Sequence, residues 1–126
     1  MTLIKFFPDF IVSQTFIQSI DYFSKTGHDL CYGYGYGNLM NYGKYYFDCS
    51  DEQAGFVDLI MSKKKFYKIN NSYFSTKLID NMNEMKRDGP NIVFKVNGID
   101  SIIIRCESED EARNSIIEFC ETMQLN

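Results

Sequence analysis

The chain's single imidazole, His28, follows Gly27 in a stretch that reads as a loop. Imidazole is the usual base for activating a Ser or Cys nucleophile. No G-x-S-x-G surrounds a serine, and no oxyanion element can be named, so His28 reads as an exposed loop residue. The run Cys31-Tyr32-Gly33-Tyr34-Gly35-Tyr36-Gly37 invites comparison with phosphate-binding loops. A dinucleotide loop needs G-x-G-x-x-G opening a helix. Counting from Gly33 the sixth position is Asn38, from Gly35 it is Met40, and no G-K-[ST] is present. Cys31, Cys49, Cys106 and Cys120 form no C-x-x-C pair and lack zinc spacing with His28. They read as free thiols. Asp48-Cys49-Ser50-Asp51-Glu52 lacks the ligand spacing and central Gly of a calcium loop. The sequence therefore supports no catalytic set and calls for no cofactor and no metal. It reads as a binding protein, not an enzyme.

Charge and aromatic content say more. The net charge is −4, and it is unevenly spread. From Ile99 onward seven acids face two bases, while the first 98 residues hold ten acids and eleven bases. Asp48, Asp51, Glu52 and Asp58 form a second acidic group with no base among the intervening residues. Nucleic-acid binding needs a basic patch. Lys63-Lys64-Lys65, with Lys68 nearby, is too short to supply one and reads as a solvated turn. An acidic chain suits a basic protein partner, through steering and complementary potential. Nine Tyr and eleven Phe, with no Trp, are compatible with a contact surface or with an aromatic-rich sheet. Lys5 and Pro8-Asp9 interrupt the N-terminal apolar stretch, so no signal peptide is read. No run of eighteen apolar residues is present, which leaves the cytoplasm as the expected location.

The elements that would position these groups follow from periodicity. Leu3 to Phe7 reads as a short strand. Phe16, Ile17, Ile20 and Phe23 recur at helical spacing, predicting a helix from Ser13 as N-cap to about Ser24, with Gly27 as its stop. Period two in Cys31 to Gly37 puts the tyrosines on one strand face and the glycines on the other. Asn38 to Gly43 reads as a turn, and Lys44 to Phe47 as the returning strand. Ser50 to Ala54 reads as a connection. Gly55 to Met61 reads as a strand paired with Phe66 to Ile69 across the lysine turn. Leu78, Ile79, Met82 and Met85 predict a helix from Ser75 to Lys86, ended by Asp88-Gly89-Pro90. Ile92 to Val96 and Ile99 to Ile104 flank Asn97-Gly98, a type I′ hairpin signal. The unbroken isoleucine run suggests a central strand. Ser108 with Glu111 is a capping box for a last helix, whose three first-turn acids favour its dipole. The fold class is α+β: an antiparallel or mixed sheet of about five to seven strands with three helices packed on it. Residues 1–126 form one domain.

The segments CYGYGYG (31–37), NYGKYYFD (41–48) and GFVDLIM (55–61), in a small acidic Tyr-rich chain, resemble the immunity proteins of contact-dependent growth inhibition systems, the CdiI proteins. The likeness is closest to those that neutralise ribonuclease toxins. The resemblance implies a cytoplasmic protein that binds the basic C-terminal nuclease domain of a cognate toxin and covers its active-site region. It implies no direct contact with nucleic acid or membrane. On that reading Asp48, Asp51, Glu52 and Asp58 would meet the toxin's basic groups, with Tyr42 and Tyr45 as aromatic anchors. Two alternatives use the same residues differently. One is a phage- or plasmid-borne inhibitor of a host defence protein. The other is a small-ligand binder or enzyme built on the Gly/Tyr hairpin and His28.

Overall fold

The computed structural model describes the backbone of residues 2–7, 10–36, 39–96 and 101–125, and their side chains except at 6–7, 34–36 and 39–41. The Asn97-Gly98 turn, Gly37 and the side chains of Tyr34 and Tyr36 lie outside the described residues. The architecture is α+β, with ten strands in three antiparallel sheets and four helices among the described residues. That agrees with the predicted class but divides the strands differently.

A hairpin of β1 (Leu3–Phe7) and β2 (Phe10–Ser13) opens the chain. Ser13 caps α1 (Gln14–Ser19), its hydroxyl accepting from the Phe16 N–H at 3.0 Å. The helix then stops, and the residues predicted to continue it form β3 (Ile20–Thr26). Ile20, Asp21, Tyr22 and Phe23 are all buried, because both faces of this strand are covered. Gly27, at φ +60°, belongs to the turn into β4 (Asp29–Tyr36). Strand β5 (Leu39–Tyr46) returns beside β4 and includes most of the segment expected to be a turn. Tyr32 stands opposite Gly43. A Cβ there would lie 2.5 Å from the Tyr32 ring, so the glycine makes room for it.

The expected strand at Gly55 to Met61 is instead the middle of a helix, α2 (Ser50–Lys63). Gln53, Phe56, Val57 and Ile60 recur at three- and four-residue spacing and are buried on one stripe. Strand β6 (Phe66–Ile69) therefore pairs with β7 (Ser72–Ser75), across a turn in which Asn70 takes φ 55°. Asn tolerates that left-handed conformation better than most side chains. Ser75 caps a helix as predicted, but α3 (Thr76–Asp80) is one turn long, and Met82 and Met85 belong to β8 (Met82–Asp88). Gly89, at φ 61°, makes the turn into β9 (Asn91–Val96). Strand β10 (Ile102–Arg105) pairs with β9 alone, so the isoleucine run is an edge. Its burial alternates, and Ile103 is 52% exposed. Helix α4 (Glu109–Met123) begins at Ser108, whose hydroxyl accepts from the Glu111 N–H at 3.1 Å.

The largest sheet has the order β5-β4-β3-β7-β6 and carries a core on each face. On one face Phe23, Leu30, Tyr32 and Tyr45 pack against residues of β2, α1 and α2. On the other, Tyr22, Ile69 and Phe74 meet β9 and β10 of the smaller sheet (order β10-β9-β8), together with α3 and α4. This second core sits over β3, β7 and β6. At β5 the same face presents Tyr42 and Tyr46 to solvent, 52% and 70% exposed.

Candidate protein interface

Helix α2 fixes the predicted acids. Its amphipathic stripe turns Gln53, Phe56, Val57 and Ile60 toward the sheet, which leaves Asp51 and Asp58 outward. They are seven residues apart, about two turns, and so share one face. Asp48, just ahead of the helix, is also exposed. None of the three makes an ion pair among the described residues, whereas Asp21, Asp29, Glu84, Glu109 and Asp110 all do. Glu52 is different. It is half-buried, and its carboxylate accepts from the Asp48 N–H at 3.1 Å, closing the helix start that the Cys49 side chain leaves uncapped. The helix dipole accounts for acids in the first turn, Asp51 and Glu52. It does not account for Asp58, two turns further on.

Contacts from three elements bring other groups to this end of the sheet. The Gln53 side-chain amide donates to the Asp29 carbonyl at the start of β4. The Phe47 N–H donates to the His28 carbonyl at 2.8 Å. The β3–β4 turn, the end of β5 and the first turn of α2 are thereby tied together. His28 is exposed here, with its ring 6.4 Å from that of Tyr46. Lys44 pairs with Asp29 at 3.1 Å, and that hydrogen bond, then the carboxylate's charge, raises its pKa.

The two tyrosines chosen from the sequence do not join the acids on one surface. Tyr45 lies beneath α2, stacked on Tyr32 at 5.0 Å and edge-on to Phe56 at 5.7 Å. Burial, and then the neighbouring Tyr32, pushes its phenol above the ordinary value. Tyr42 projects from the opposite face of the sheet, its ring 5.9 Å from Tyr22. Tyr46 projects from that same opposite face, away from α2. Strand alternation held the signal: Phe47 is apolar and buried, which sends Tyr45 inward and Tyr46 outward.

The described cysteines are all free, and Cys49 is exposed. Burial, then the Glu111 charge, raises the Cys106 thiol pKa. Among the described residues no group of three or more His, Cys, Asp or Glu could hold a metal ion. No described helix is long and apolar enough to cross a membrane. This end presents the exposed Asp48 and Asp51 beside His28 and the Lys44–Asp29 pair.

No family model matches the sequence, and no curated protein matches it. Among solved structures, the LytTr DNA-binding domain of a methyl-accepting/DNA response regulator from Bacillus cereus is similar at 11% identity, with 94% of each chain covered. The TM-score is 0.43, and at that level the likeness carries no statement about what this chain binds.

Proposed function

We propose that the protein is a cytoplasmic immunity protein: a stoichiometric inhibitor that covers the basic active-site region of a toxin nuclease domain, in the manner of the contact-dependent growth inhibition systems it resembles. The observation that carries this reading is the unpaired acidic face of α2, Asp51 and Asp58 with Asp48 beside them. Three exposed carboxylates without an ion-pair partner among the described residues raise the local negative potential. A nuclease cleft that binds RNA phosphates is basic, so such a face complements it and steers the encounter.

The test pairs this protein with any nuclease domain that a neighbouring gene encodes and follows RNA cleavage at a one-to-one ratio. Stoichiometric protection is expected. The variant Asp51→Lys, Asp58→Lys should bind the toxin at least about tenfold more weakly, chiefly through slower association at low salt. Glu52 is left alone because it closes the helix start. Full cleavage at equimolar protein, with no complex on a sizing column, would overturn the proposal. Unchanged binding by the double variant would remove α2 from the interface.

A further inference from the structure

The lysines at the other end of α2 are not a simple solvated turn. Lys64 and Lys65, just past the helix, line a cleft of about 210 Å³ together with Ser19, Asp21, Thr76 and Lys77. These residues come from separate stretches of sequence, α1, β3, the end of α2 and α3, and only the fold brings them together.

Its charges have distinct duties. The Asp21 side chain is buried, 7% exposed, and takes Lys64 at 2.9 Å and the Ser75 hydroxyl at 2.8 Å. The Lys64 ammonium also donates to the Gln18 carbonyl at 2.9 Å. Lys64 is thus neutralised and pinned, and it fixes one wall. Lys77 reaches Asp21 only at 3.9 Å and is 60% exposed. The Lys65 ammonium sits 4.9 Å from the centre of the Tyr67 ring, just outside the cleft, with its charge uncancelled and on a side chain long enough to swing in. Three lysines less one aspartate leave a net charge of plus two around a cleft in a chain whose net charge is −4. The Thr76 hydroxyl, half-buried on the wall, adds a donor.

We propose that this cleft binds a phosphate monoester dianion, with Lys65 and Lys77 as its cationic partners. Lysine binds phosphate as a point charge without demanding a fixed fork geometry. A monoester carries close to two negative charges near neutral pH, matching the surplus. Helix α2 has 14 residues, so the site lies about 20 Å from the helix start and about 9 Å along the axis from Asp58.

The experiment is a titration of the ¹⁵N-labelled protein with inorganic phosphate and with adenosine 5′-monophosphate, at constant ionic strength held by chloride. Saturable shifts are expected at the amides of residues 64–65 and 75–77. Affinity should rise from about pH 5 to about pH 7 as the second phosphate proton leaves. The variant Lys65→Gln, Lys77→Gln should lose at least about tenfold in affinity while its melting temperature stays close to the parent's, because the Asp21–Lys64 pair is kept. Equal binding of the two probes would support a site that recognises the phosphoryl group alone. Tighter binding of the nucleotide would extend the ligand beyond its phosphoryl group. The proposal is overturned if chloride reproduces the shifts, if the double variant binds like the parent, or if an RNA lacking a terminal phosphate competes equally well.

Discussion

Tyr45 and Tyr46 are neighbours in sequence and opposites in role. The first is half-buried under α2, in ring contact with Tyr32, Phe10, Phe16 and Phe56. The second is 70% exposed on the opposite face of the sheet. Tyr45→Ala should therefore destabilise the fold by roughly 2 kcal/mol, below the range for a fully buried ring because part of Tyr45 is already solvated. Tyr46→Ala should change stability by no more than about 0.5 kcal/mol. If Tyr46 contacts the toxin, that same substitution should weaken the complex by about 1–2 kcal/mol. Urea melts of the free proteins beside toxin titrations separate the two roles. A Tyr46→Ala protein with parental affinity would exclude that ring from the interface. The acids of α2 were legible because a charge run survives any change of secondary structure. The faces of Tyr42 and Tyr45 were not legible, because they depend on strand alternation and register.

Helix starts were easier to read than helix lengths. Ser13, Ser75 and Ser108 all cap helices, since a side-chain acceptor for an N–H three residues on is a local signal. Yet α1 and α3 end after six and five residues, and apolar side chains continuing at helical spacing serve strands instead. Ile20 to Phe23 are buried on both strand faces, which erases the period-two signature and lets the helical pattern show through. Helix α2 failed in the opposite sense. Gly55 and the compact apolar group Phe56, Val57, Leu59 and Ile60 looked like a strand, and Gln53, the residue completing the helical stripe, is polar. The β4–β5 hairpin was legible as a pair, and its spacing carries a requirement at Gly43. A methyl there meets the end of the Tyr32 ring, which stacking on Tyr45 and an edge contact with Phe16 hold in place. Gly43→Ala should destabilise by about 1–3 kcal/mol, the usual cost of overpacking. Adding Tyr32→Val should recover part of that loss. A thermal melt of Gly43→Ala that matches the parent would show the ring is free to move aside.

Two cores on opposite faces of one sheet raise the question of whether the molecule unfolds in one step. The core under α1 and α2 and the core under the smaller sheet have no buried residue in common, but β3 and β7 contribute to both. Tyr22 and Phe23 are adjacent and point into different cores, as do Tyr73 and Phe74. On one side Phe23 stacks with Tyr73 at 4.8 Å. On the other Phe74 stacks with Tyr22 at 5.0 Å and with Phe94 of the smaller sheet at 4.6 Å. Losing either core would bare one face of the shared strands and expose apolar area that stabilises them, so the two halves should melt together as a single domain. Phe74 is the place to test this, since it is fully buried and joins the two sheets. Phe74→Ala should destabilise by about 3–5 kcal/mol. The lowered transition should stay single, and far-UV circular dichroism should coincide with a signal from the other face, such as Tyr32 and Tyr45 fluorescence read against a Tyr32→Phe, Tyr45→Phe control. Two separated transitions in the variant, the first confined to the smaller sheet and α4, would mean that the shared strands keep one core standing without the other.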